Sequence, residues 1–137
     1  MLEFDEGLRF KPYRCTAGKL TIGVGRNIDD VGISRAEAYI LLDNDIARAT
    51  RDCEEIFGTA LWNSWGEVRR LGWVNFRFQL GKGGMLSFRN TLDHARSENW
   101  QRVEKHLLAS KWAAKDSPAR AGRVVGMIVR EEFPYED

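Results

Sequence analysis

Glu6, Cys15 and Thr21 place a carboxylic acid, a thiol and a hydroxyl close together near the start of a 137-residue chain. Cleaving a glycosidic bond with water is chemistry such a set could serve. It needs a proton for the leaving oxygen, stabilisation of an oxocarbenium-like centre and a water or nucleophile at the anomeric carbon. Two carboxyls usually divide these tasks. Glu6 could be the acid if substrate and apolar neighbours favour its neutral form, and Thr21 could hold a water through its hydroxyl. Cys15 is then left in the second carboxyl's place. An ordinary thiol has a pKa near ~8.5, so only a few per cent is thiolate at neutral pH, whereas an aspartate is charged. If that charge assists by about 2.7 to 4 kcal/mol, losing it costs on the order of a hundred- to a thousandfold in rate. A nearby cation would lower the thiol pKa and recover part of this.

The elements that must position these groups can be read from pattern. Residues 2–11 suggest a short helix that carries Glu6 and stops before Pro12. The stretch YRCTAGKLTIGVGRNIDD mixes β-branched residues with glycines, as a small hairpin sheet does. With Gly18 at the turn centre, Cys15 and Thr21 are directly opposed and share a face. Ser34 and Glu37 form a capping box, opening a helix with Leu42, Ile46, Ala49, Cys53 and Ile56 on one stripe until Gly58. Ser64 and Glu67 suggest a second box and a central, nearly all-apolar helix that Gly81 ends. Beyond the glycine-rich loop GKGG, helices are expected over 88–96 and 100–110. A last helix should start at Ser117 and Pro118 and run through Val124 and Ile128. The expected fold class is α+β and mostly helical, with one small N-terminal antiparallel sheet.

Length allows one core, hence a single domain over 1–137. An apolar fraction of 43% and a charged fraction of 30% fit a globular chain, and five Trp and seven Phe are available for packing or a sugar-binding groove. A net charge of +1 provides no global attraction for nucleic acid, so no nucleic-acid partner is expected. The N-terminus lacks the basic start and apolar run of a signal peptide, and no segment reads as a membrane span. Synthesis in the cytoplasm is expected, with no membrane partner. Cys15 and Cys53 form no CxxC pair and lie far in sequence from His94 and His106, so no disulfide, metal or other cofactor is expected. Cys53 reads as core packing, His94 and His106 as exposed helix residues, and Arg69 and Arg70 as surface charges or structural ion partners. The glycines of TIGVGR serve backbone conformation and lack the signature of a phosphate loop.

The segment FDEGLRFKPYRCTAGKLTIGVGRNIDDVGIS resembles the active-site region of phage lysozymes, the glycoside hydrolase family 24 muramidases of coliphage type. Their pattern is Glu, eight residues, Asp or sometimes Cys, five residues, Thr, and Glu6, Cys15 and Thr21 fit it in register. The likeness continues through VRR, NFRFQLG and SKWAAKDSPARAGR, covering nearly the whole chain. It implies a bilobed fold with a sheet-bearing lobe at about 12–33, a connecting helix at about 34–57 and a helical lobe at about 58–137 that includes the N-terminal helix. It also implies a peptidoglycan substrate, cleavage between N-acetylmuramic acid and N-acetylglucosamine, Glu6 as general acid and Thr21 orienting water. Arg120, a cation in a helix's first turn where it opposes the dipole, matches an arginine that pairs with the catalytic glutamate. Asn75 and Gln79 could offer amide hydrogen bonds to sugar, and Trp112 could stack on sugar or pack.

Two other readings stay open at this point: a non-catalytic peptidoglycan-binding protein, in which Cys15 has ended turnover, and a lytic transglycosylase. Thr21 as a water holder favours hydrolysis. The expected protein is a monomer that reaches the wall only after release from the host cytoplasm.

Overall fold

The computed structural model describes residues 1–135, and its contacts group Met1–Leu42 and Asp43–Asp137 as two units. In the first unit, helix α1 spans only Leu2–Glu6, because Gly7 turns the chain at φ 78°, a conformation open to glycine. Residues 9–11, expected in that helix, instead begin strand β1, Arg9–Arg14. Phe10 and Tyr13 suit a strand, and Pro12 is tolerated because β1 lies at the edge of the sheet. Strands β2 (Leu20–Gly23) and β3 (Arg26–Asn27) complete an antiparallel sheet in the order β1-β2-β3. Helix α1 groups with the sheet in the first unit.

The hairpin register is shifted by two residues from expectation, and its turn centre by one. Tyr13 pairs with Thr21 and Arg14 with Leu20, while the Cys15 N–H donates to the Lys19 carbonyl at 2.9 Å. The turn is therefore centred on Ala17, and Cys15 faces Lys19. Gly18, at φ 77°, supplies the left-handed residue that closes this three-residue turn.

Helix α2 (Arg35–Phe57) opens with the expected capping box: Glu37 N–H donates to Ser34 Oγ at 3.1 Å, and Ser34 N–H to Glu37 Oε1 at 2.9 Å. Arg26 binds the same carboxylate through two nitrogens, at 3.0 and 2.7 Å. Hydrogen bonds from Arg26 first, then from Ser34, pull the Glu37 carboxyl down to about 2, so the link between β3 and α2 stays ionised through mildly acidic pH. A sheet this small leaves apolar surface uncovered. Phe10, Ile22, Val24, Ile33, Ile40 and Leu41 line an open groove of about 590 Å³.

In the second unit, the C-terminal half of α2 buries Ala49, Cys53 and Phe57, and Gly58 ends the helix at φ 86°. Leu42 and Ile46, nearer the start of the predicted stripe, remain 37% and 39% exposed. A short helix α3 (Thr59–Ser64) follows, which the pattern did not reveal. Ser64 caps nothing: its hydroxyl donates back to the Leu61 carbonyl at 2.6 Å, and Gly66 stands at the start of α4. Helix α4 (Glu67–Leu86) breaks at Gly81, as expected, but the GKGG segment resumes helix instead of forming a loop.

Helices α5 (Arg89–Arg96), α6 (Trp100–Ala109) and α7 (Pro118–Arg130) lie where periodicity predicts them, with a π-helical turn at Trp112–Asp116. Their core is built on fully buried Trp73, Phe76, Val103, Leu107, Val124 and Ile128. Trp62, Trp65 and Trp112 are also buried, and Trp100 is covered by the Arg69 guanidinium at 4.1 Å, so the tryptophans go to packing. Arg69 further donates to the carbonyls of Ile128 and Val129 at 2.6 and 3.2 Å, a structural role at the end of α7. Among the described residues no helix is long and apolar enough to cross a membrane.

Helices α4 and α7 cross closely at Gly72, where an added Cβ would lie 2.8 Å from Ile128 Cγ1 and 3.1 Å from the Ile128 backbone nitrogen. Gly72→Ala gains about 1 kcal/mol of helix propensity, whereas overpacking a core costs about 1–3 kcal/mol. Backbone cannot yield as a flexible side-chain end does, so the cost should win. A thermal melt is expected to show a midpoint lowered by several degrees; an unchanged or raised midpoint would mean the helices separate freely.

Candidate functional site

Glu6 is the last residue of α1, and its side chain lies across the turn between β2 and β3. A Cβ at Gly25 would come 2.8 Å from the Glu6 carboxylate oxygen and 3.2 Å from its Cγ. Glycine at position 25 therefore makes room for the carboxylate as well as supplying a φ of 68°. The sequence assigned the TIGVGR glycines to backbone conformation alone; nothing local announces a contact made by a residue so far upstream.

Thr21 is 3% exposed, and its hydroxyl donates to the Lys19 carbonyl at 2.9 Å. That bond aims its oxygen lone pairs and leaves them able to accept from water. Cys15 is half-buried and unoxidised. It is not directly opposite Thr21, as expected, but diagonal to it: Cys15 faces Lys19, two residues before Thr21 on the same strand face. Diagonal neighbours of this kind lie within reach of each other. The thiol is pulled below its ordinary pKa, chiefly by the Lys19 backbone amide and next by that of Ala17; burial opposes them, by more than the Thr21 hydroxyl adds. The turn itself thus eases ionisation of the thiol, chiefly through backbone amides and not through the charge of a cation. Cys53 is the opposite case: buried among apolar groups, its thiol is pushed up to about 12 and stays neutral, in line with core packing.

The second unit carries the remaining expected residues in two hydrogen-bonded sets. Arg120, in the first turn of α7, donates from Nε to the Asn75 side-chain oxygen at 2.9 Å, and the Asn75 amide reaches the Tyr135 hydroxyl at 3.4 Å. Trp112 Nε1 donates to Gln79 Oε1 at 2.9 Å, and Gln79 Nε2 donates to Ser117 Oγ at 2.6 Å. Trp112 is 3% exposed, with Phe76 edge-on at 4.9 Å, so its ring is packed into the core of the second unit. Both ends of the Gln79 amide are engaged within the protein. Ser117 holds the N-cap position without a capping bond, since its hydroxyl serves Gln79 instead. Ser117 and Tyr135 were missed as partners because only tertiary packing brings them to Gln79 and Asn75.

The family model described as Phage lysozyme matches residues 3–132. The chain is similar to Probable T4-type lysozyme 1 of Dictyostelium discoideum, with 24% identity over 93% of this chain and 91% of that protein. Probable T4-type lysozyme 2 of the same organism is 25% identical over 93% and 91%, respectively. The pre-baseplate central spike protein Gp5 of Enterobacteria phage T4 is 29% identical over 94% of this chain and 27% of that protein.

Proposed function

Because the chain belongs to the phage lysozyme family, and is thereby a glycoside hydrolase acting on peptidoglycan, we propose that it cleaves the β-1,4 bond between N-acetylmuramic acid and N-acetylglucosamine through Glu6, Cys15 and Thr21. The observation that carries this reading is the geometry within Met1–Leu42: the Glu6 carboxylate against the β2–β3 turn, with Cys15 and Thr21 on one face of the neighbouring hairpin. Glu6 donates its proton to the leaving oxygen. Thr21, already oriented by Lys19, accepts a hydrogen bond from the attacking water. Cys15, once ionised, provides the negative charge that an aspartate would otherwise bring. Arg120, whose guanidinium Asn75 orients, and Gln79, which braces Trp112, are the supporting residues of this reading.

The test is product analysis on purified peptidoglycan. Hydrolysis adds one water and leaves reducing N-acetylmuramic acid ends. Anhydro products would instead mean intramolecular transfer, and binding without release of fragments would mean a non-catalytic protein.

Gly25→Ala probes the placement of the acid. The new methyl displaces the Glu6 carboxylate, and misplacing a catalytic group by about 1 Å can cost on the order of a hundredfold. A ten- to hundredfold slower hydrolysis is expected from a protein whose circular dichroism spectrum is native. Wild-type speed in that variant would show that position 25 does not set where Glu6 works.

A further inference from the structure

The chain has two histidines, and they meet. The sequence treats His94 and His106 as separate exposed helix residues, but α5 and α6 bring their rings to 5.0 Å between centroids with planes 42° apart, and both are half-buried. Neither belongs to the hydrolytic set.

We propose that His94 and His106 chelate a divalent transition-metal ion of the borderline class, such as Zn²⁺, Ni²⁺ or Cu²⁺. A metal bonded to imidazole nitrogen at about 2.1 Å lies about 3.2 Å from the ring centre, so two imidazoles at a tetrahedral angle have centroids about 5.2 Å apart. At a right angle, as in tetragonal Cu²⁺ or Ni²⁺ sites, the separation is about 4.5 Å. The observed separation lies between these values. Turning the nitrogens toward one ion uses χ2, a soft torsion in histidine, so the backbone need not move.

The surroundings narrow the ion further. His106, though not His94, lines a cavity of about 410 Å³ with Asn90, Thr91 and Ser110, which gives water room on the His106 side of the ion. Arg89 lines the same cavity and Arg102 stands one helical turn before His106; their charges oppose every divalent cation alike, so the ligand atoms decide the choice of ion. Among the described residues no group of three or more His, Cys, Asp or Glu side chains gathers at one place. Such a setting disfavours Mg²⁺ and Ca²⁺, which need several oxygen ligands, and suits ions that bind imidazole lone pairs. The bound ion would clip α5 to α6 across the short connection at 97–99 and stabilise the folded state by mass action.

Titration calorimetry with ZnCl₂ and NiCl₂ alone should show one ion per chain, with at least tenfold weaker binding in His94→Gln and in His106→Gln. MgCl₂ should give no heat of binding, and a Cys15→Ser control should bind as the wild type does. Zn²⁺ should raise the melting midpoint of the wild type and leave that of the double histidine variant unmoved. In wild-type protein, needing no substitution, Ni²⁺ should broaden the NMR signals of both imidazole rings together. Binding that survives in both single variants, binding lost with Cys15, or rings unaffected by Ni²⁺ would each overturn the site.

Discussion

Glu6→Gln is expected to slow peptidoglycan hydrolysis by about 10²- to 10⁴-fold, the range over which general acid catalysis contributes. The amide matches the carboxyl in size and can keep the contact with Gly25, but it has no proton of useful acidity for the leaving oxygen. Glu6 is exposed at the end of α1, where a polar replacement changes stability by only about 0.5 kcal/mol. The loss should therefore appear in turnover, with the melting midpoint and binding to purified peptidoglycan nearly unchanged. Clearing of a peptidoglycan suspension, followed by turbidity, measures it. Equal clearing rates for wild type and Glu6→Gln would remove Glu6 from the role of acid, whatever the products prove to be.

Replacing Cys15 with aspartate should accelerate the enzyme most at the acidic end of its range. If position 15 contributes negative charge, the wild type gains that charge only as the thiol ionises. The amides of Lys19 and Ala17 bring that ionisation to lower pH than an ordinary thiol allows. An aspartate is charged from about pH 5 upward. The ratio of Cys15→Asp to wild-type rates should thus be on the order of a hundredfold near pH 6 and shrink as pH rises through the thiol's lowered pKa. Cys15→Ala, with no charge to gain, should be slow throughout and lack the rise with pH that the wild type shows. Three superimposable pH–rate profiles would make position 15 a spacer.

Both predictions depend on features with different degrees of legibility. That α2 begins after Ser34 and stops at Gly58 could be read directly, because a capping box and a left-handed glycine act within a turn of helix. The same logic failed at Ser64. Its hydroxyl had a nearer acceptor in the Leu61 carbonyl, and the α3 helix that supplies it was not visible from periodicity. The α1 boundary was missed because Leu2, Glu6 and Arg9 or Phe10 fall on neighbouring helical turns in isolation, while pairing of Arg9 with Gly23 decides for strand.

What the sequence by itself determined was the set of candidate groups for the chemistry, the presence and order of the main helices, and a family pattern running from DEGL to SPARAGR. Each of these rests on chemical identity or on contacts only a few residues apart. Tertiary structure alone decided that Cys15 faces Lys19 and receives backbone amides. It alone decided that Gly25 makes room for Glu6, that Gln79 serves Trp112 and Ser117, and that the two histidines adjoin. The Gln79 bonds join residues 33 and 38 positions apart. Which polar groups meet at such distances depends on strand register and helix packing, and those are set by burial of the whole core.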